Sequence, residues 1–200
     1  MSKSLLVVVG IVGVLLLVVL LGFAIGVPTY NKLVGLEEGV DGAWSQVENT
    51  YQRRADLIPN LVATVRGAAE FERGTLTDVV EARAKVGQTQ VNGAPTPEQL
   101  EAFQANQDAL SSALSRLLVV VERYPELTAT QAFRDLQVQL EGTENRIAVE
   151  RMRYNEAARE FNTARRRFPA SLIAGMTGFD EPKPYFEADQ GAEEPPEVSF

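Results

Sequence analysis

The 200-residue chain has no cysteine and no histidine. Without a thiol there is no disulfide, no thiolate nucleophile, no zinc–thiolate centre and no residue to carry a lipoprotein anchor. Without imidazole there is no histidine acid–base chemistry and no Ser-His-Asp triad. Dense basic segments are also missing. Nineteen Lys and Arg stand against 27 Asp and Glu, a net charge of −8, so nucleic acid is not expected as a partner. No window alternates apolar and polar residues with a period of two, and no strand is expected.

What is present begins with an apolar run. Leu5–Val27 holds 23 residues without a charge. As a helix it measures about 35 Å, enough to cross a hydrocarbon core of about 30 Å with a modest tilt. Its backbone polar groups must bond within the segment, which in lipid means a helix. A cleaved signal peptide is the competing reading, because Gly22 and Ala24 offer a small-x-small site. Signal peptides have apolar regions of only about 7–15 residues, so a retained anchor is expected. Residues 1–4 are then a short flank, and residues 5–27 are the contact with the bilayer. Lys3 and the amino terminus precede the run, and only Lys32 follows closely. By a margin of about one charge, the positive-inside rule places the body on the extracytoplasmic side. Gly22 and Gly26 form the one small-xxx-small pair on which the anchor could self-associate.

Beyond Pro28 the spacing is helical. Leu33, Leu36, Val40, Ala43/Trp44, Val47, Tyr51, Leu57, Ile58, Leu61, Val62 and Val65 show helical periodicity, with a kink or brief break expected at Pro59. Leu76, Val79, Val80 and Val86 carry the pattern to Gly87, where a turn-rich loop runs to Thr96. Thr96, Pro97 and Gln99 form a capping box for a helix to about Arg123. Phe103, Leu110, Leu114, Leu117, Val121 and Tyr124 mark its buried face. Pro125 forces a turn, and Thr128 with Gln131 suggests the next cap. The last helix steps through Phe133, Leu136, Leu140, Thr143, Ile147, Arg151, Tyr154, Ala158, Phe161, Arg165 and Phe168 until Pro169 stops it. The expected fold is all-α, an antiparallel bundle of three or four long helices over residues 28–179 behind the membrane helix. Asp180–Phe200 carries seven carboxylates, one lysine and four prolines, an acidic tail expected to be disordered at least beyond Phe186.

Polar residues on or near the seams are the candidate site. Arg53, Arg54, Asp56 and Asn60 flank Pro59, and Glu72, Glu144, Asn145 and Arg151 lie at or near buried positions. A metal centre is one reading, but di-metal carboxylate bundles use Glu-x-x-His pairs and no EF-hand spacing occurs. Ion pairs that fix helix register and satisfy the groups freed at the proline are the preferred reading. Trp44 and the other ring-bearing side chains at helical spacing are assigned to the core. A serine–lysine dyad would need Ser45, Ser111, Ser112, Ser115 or Ser171 beside Lys32 or Lys85, and no strained nucleophile turn surrounds any of these serines. Arg165-Arg166-Arg167 could meet anionic headgroups, though the negative pole of the helix accounts for it. Val198-Ser199-Phe200 has the form of a carboxyl-terminal peptide ligand, on three residues only. No catalytic, cofactor-binding or metal-ligating residue is assigned, and no cofactor is expected.

Several local words occur in one order. They run Tyr30-Asn31-Lys32-Leu33-Val34, Ala43-Trp44-Ser45-Gln46-Val47, and Arg53-Arg54-Ala55-Asp56-Leu57-Ile58-Pro59-Asn60-Leu61-Val62. Ala82-Arg83, Tyr124-Pro125-Glu126-Leu127, Thr143-Glu144-Asn145-Arg146-Ile147, Tyr154-Asn155, Phe161-Asn162, Phe168-Pro169, Gly178-Phe179 and Tyr185-Phe186 follow. This order resembles the LemA family of bacterial membrane proteins over nearly the whole chain after the anchor. The resemblance implies one amino-terminal membrane helix in the bacterial inner membrane, a long-helix bundle and no established catalytic activity. Phe71 stands before Glu72 where relatives often have histidine, which speaks against a histidine-dependent site. The expected role is a membrane-anchored scaffold or adaptor, not an enzyme, with a protein partner of unknown identity or a second copy of itself. A regulatory subunit of a membrane protease or transporter is the alternative, and a hydrolase a remote one.

Overall fold

The computed structural model describes residues 3–66, 73–88, 91 and 93–187. Glu72, Phe71 and the residues after Glu187, including Val198–Phe200 and most of the acidic tail, lie outside the described residues. The helices are α1 (Lys3–Arg66), α2 (Arg73–Gln88), α3 (Pro97–Val121), α4 (Pro125–Thr128), α5 (Gln131–Arg166) and α6 (Ala170–Thr177). Among the described residues there is no strand.

Burial follows steps of three and four along each long helix. On α1 the buried positions include Leu33, Val40, Trp44, Val47, Tyr51, Arg54, Ile58, Leu61 and Val65. On α3 they include Leu100, Phe103, Gln107, Leu110, Leu114, Leu117 and Val121. On α5 they include Phe133, Leu136, Leu140, Thr143, Ile147, Glu150, Tyr154 and Phe161. A repeat averaging 3.5 keeps one seam facing its neighbours and favours shallow left-handed crossings. Each fully buried Leu or Phe on it contributes about 1.5–3 kcal/mol.

Two units form on these helices. The larger comprises Asp41–Glu156 with the chain from Lys183 onward. Its contacts are Arg83 of α2 with Ala55 of α1, Gln107 of α3 with Arg54, and Glu144 of α5 with Arg54. Together with the aromatic pairs Trp44–Phe103 and Trp44–Tyr154, they give an up-down-up-down arrangement of α1, α2, α3 and α5. Ile58, Leu61, Val65, Val79, Leu110, Leu117, Leu127 and Phe133 lie in one continuous core. In the smaller unit, Met1–Val40 with Ala157–Pro182, Tyr30 and Phe161 pack on Phe179 with ring centroids 5.7 and 6.4 Å apart. Gly178 ends α6 at φ 86°, a conformation that disfavours any side chain. The turn lets the Phe179 amide return to the Ala174 carbonyl at 3.1 Å.

Several local expectations change. α1 runs unbroken through Pro28 and Pro59, so neither proline ends the helix. The Thr96 capping box is present with both bonds, from the Gln99 amide to the Thr96 hydroxyl and from the Thr96 amide to the Gln99 side chain. At the start of α5 the cap is Thr130, whose hydroxyl accepts from the Phe133 amide at 3.3 Å. Thr128 instead donates its hydroxyl to the Pro125 carbonyl within α4. On α5 the seam position falls on Glu150, 4% exposed, and Arg151 lies beside it.

Candidate functional site

Arg54 organises the polar centre of the larger unit. It sits on the α1 seam at 1% exposure. Its Nη1 donates to Glu144 Oε1 at 2.7 Å and to Ser111 Oγ at 2.9 Å. Its Nη2 donates to the Gln107 carbonyl at 3.3 Å and, in a shorter contact, to Gln107 Oε1. The Tyr51 ring lies under the guanidinium, 5.0 Å from Cζ to centroid. One cation thus ties α1 to α3 and α5. A planar fork with several donors suits this task, and the flexible ammonium of lysine does not.

An aromatic column extends from the guanidinium. Tyr51 meets Phe103 edge-on at 5.0 Å, Phe103 meets Trp44 at 5.1 Å, and Trp44 meets Tyr154 at 5.6 Å. The carboxyl-terminal strap completes it. Phe186, 5% exposed, stacks on Trp44 at 6.0 Å and meets Tyr154 at 5.4 Å. The Asn155 side chain holds the Phe186 backbone at both ends, donating to its carbonyl at 3.0 Å and accepting from its amide at 2.8 Å. Arg151 lies over the Phe186 ring at 4.9 Å and donates to the Glu187 carbonyl at 2.9 Å.

Beside this centre lies an open groove of about 1160 Å³. Arg54 and Arg151 line it together with Glu101, Asp108, Glu144 and Glu187, a surplus of negative charge. Burial raises the Tyr51 hydroxyl above its ordinary pKa, and the charges of Arg151 and Arg54 offset part of that rise. The Tyr154 hydroxyl is also pushed up by burial, with Asp41 adding to the effect. It has no hydrogen-bond partner among the described residues.

A model of the LemA family matches residues 43–200, which include the Arg54 centre, the groove and the strap. This chain belongs to the LemA family. It is 27% identical to Magnetosome protein MamQ 1 and to MamQ 2 of Paramagnetospirillum magneticum, over 185 residues. Those matches cover 83% of this chain and 67% of each relative. Protein LemA of Metamycoplasma hominis is 22% identical over 144 residues, covering 72% of this chain and 63% of that protein. The chain therefore spans about two thirds of the length of these relatives. In this LemA-family chain α1 is the one described helix long and apolar enough to cross a membrane.

Of the polar residues singled out by sequence, the structure brings Arg54, Glu144 and Arg151 to one groove. Arg53, Asp56, Asn60 and Asn145 are exposed elsewhere on their helices, with Asp56 accepting from Gln52 at 2.8 Å. Ser111 and Ser112 line the groove, and no lysine is among its lining residues. Ser45 bonds back to the Asp41 carbonyl. Among the described residues no three Asp or Glu side chains converge as a metal would require. Gln107 and Phe186 were missed. The signal for Gln107 was its seam position, four residues after Phe103 and three before Leu110. For Phe186 it was an aromatic residue following Pro184 and Tyr185 in an otherwise acidic segment.

Proposed function

We propose that this LemA-family chain is a single-pass scaffold or adaptor of the bacterial inner membrane, anchored by residues 5–27 and without catalytic chemistry of its own. Residues 28–179 are assigned to the helical bundle and residues 180–200 to an acidic, proline-rich tail. The one-charge asymmetry around the anchor favours an extracytoplasmic body.

One observation carries this reading. The buried polar centre is engaged in joining helices, since the two Arg54 Nη atoms donate to four acceptors on three residues of α3 and α5. A cation so engaged fixes helix register and leaves a preformed groove beside it, which lowers the ordering cost of docking a protein partner.

The test is in-cell crosslinking of the full chain, with a photoreactive amino acid placed at Gln104 in the groove wall and identification by mass spectrometry. The expected result is one or a few discrete protein adducts that disappear when the reactive group is moved to exposed Val138. Absence of any groove-dependent adduct, or substrate turnover by the purified chain that is abolished in Ser111→Ala, would overturn the reading.

A further inference from the structure

The smaller unit holds its own cavity, of about 510 Å³, lined on α1 by Thr29, Lys32, Leu33 and Leu36, on the end of α5 by Arg159, Glu160 and Thr163, and just past α5 by Arg167. Three cations and one carboxylate leave it net positive. Its place along α1 is informative. Thr29 lies about 3 Å and Lys32 about 8 Å of helix rise beyond Val27, where the apolar run ends. Headgroup layers extend about 5–8 Å beyond the hydrocarbon on each side. With residues 5–27 across the bilayer, Lys32 reaches the depth of lipid phosphates, and Arg159 and Arg167 line the same cavity.

Helix α6 adds an apolar surface at the same level. Its inner side is docked, with Ala174 at 2% exposure. Its outer side shows Leu172 and Met176 at 61% and 86% exposure, and Phe168 just before it is 81% exposed. Tyr30, three residues past Val27, packs on Phe179 at the end of α6 and ties this surface to the membrane-proximal turn of α1. The α5 terminus ends in Arg165 and Arg166, followed directly by Arg167, and Arg165 donates to the Asp180 carbonyl.

We propose that this end of the molecule is a second membrane contact. The phosphate of an anionic phospholipid from the same bilayer sits among Lys32, Arg159 and Arg167, while Phe168, Leu172 and Met176 enter the acyl boundary. Guanidinium groups match phosphate geometry with paired donors. An amphipathic element binds the interface through apolar area combined with attraction to anionic lipid. A second copy of the chain fits less well, because a two-fold contact on this face would bring the same cations together. The proposal rests on residues 5–27 crossing the bilayer and extends that reading to the headgroup layer.

The experiment uses the full chain in vesicles. Because there is no native cysteine, Met176→Cys can carry a single environment-sensitive NBD dye, and Glu38→Cys serves as a control about 16 Å of helix rise beyond Val27. Both are reconstituted in phosphatidylcholine alone and in phosphatidylcholine with phosphatidylglycerol, each containing a lipid spin-labelled near the headgroup. The expected result is quenching at position 176 about twofold or more above that at position 38, greater with phosphatidylglycerol. Lys32→Gln, Arg159→Gln and Arg167→Gln together should remove the phosphatidylglycerol dependence. Equal quenching at both positions would overturn the proposal, as would a blue-shifted dye at 176 that the lipid cannot quench, which indicates a protein cover. Equal quenching in the two lipids would overturn the phosphate site. A chain that fails to float with vesicles would overturn the membrane span itself, whereas a chain that floats without quenching at 176 overturns only the second contact.

Discussion

Arg83 Nε donates to the Ala55 carbonyl at 2.9 Å, and Ala55 is the residue whose helical acceptor Pro59 leaves unmatched. In an unbroken helix the amide of residue 59 would bond to this carbonyl, but proline has no N–H. A guanidinium from α2 takes its place, and in doing so fixes α2 against α1. Arg83→Ala should cost about 1–2 kcal/mol, the penalty of a part-buried acceptor losing a charged donor. Restoring the amide with Pro59→Ala should make Arg83 less important. The double-mutant cycle, measured by chemical denaturation of the full chain in detergent micelles, should show coupling of about 1 kcal/mol. Full additivity would mean that Arg83 does not compensate for the proline.

Phe186 reports on the strap through Trp44, the only tryptophan in the chain. Phe186→Ala removes a ring stacked on the indole at 6.0 Å and should open that face to water. Emission should shift to the red and acrylamide quenching should rise. Asn155→Ala, which deletes both bonds to the Phe186 backbone, should reproduce the effect in weaker form, at a cost of about 1–2 kcal/mol. Unchanged emission in both variants would show that the strap does not shield Trp44 in solution.

The two ends of the Arg54–Glu144 pair should respond unequally. Arg54 is 1% exposed, whereas the Glu144 side chain is 47% exposed. Arg54→Ala leaves a void and deprives Gln107 and Ser111 of their donor, so a loss of about 3 kcal/mol is expected. Arg54→Lys keeps the charge without the fork and should lose about 2 kcal/mol. Glu144→Gln acts at the groove surface, where water replaces the partner, and should cost less than about 1 kcal/mol. Denaturation midpoints of the three variants check this order, and a Glu144→Gln loss equal to that of Arg54→Ala would contradict it.

The helices were legible because burial along a helix demands the 3–4 spacing, and Leu, Val and aromatic residues occupy it from Leu33 to Phe161. Arg54 and Glu144 were each legible as charge close to that spacing, but their pairing was not. Gln107 was not, because an amide among apolar neighbours gives no sign of the guanidinium it faces until α1 and α3 are placed side by side. Phe186 was hidden for a similar reason. Its partner Trp44 lies far away in the chain, and the residues around it have neither helical nor strand periodicity. At α5 two threonines, Thr128 and Thr130, compete for one cap, and the intervening turn of α4 decides between them. At Pro59 the sequence predicts a kink or brief break, whereas α1 continues, and the α2 donor that meets the freed Ala55 carbonyl is one that local spacing does not reveal.

Glu48 sets a pH dependence of defined sign. Burial lifts its carboxyl above the ordinary value of 4.5, while the Trp44 indole and the Val91 amide offset part of the rise. The folded state therefore holds the Glu48 proton more tightly than the unfolded state. The stabilisation from this group is fully present below about pH 4 and is lost as the pH climbs through the raised value. Other carboxylates whose pKa values fall on folding produce the opposite slope, so the parent chain alone does not isolate the effect. Glu48→Gln does, because the amide is neutral throughout and matches the carboxyl in size and shape. The variant should match the parent near pH 4 and exceed it in stability at pH 7, with the gap opening over the interval just above 4.5. A constant difference across that range, or a variant less stable than the parent at pH 7, would show that Glu48 is solvated well enough to keep its ordinary value.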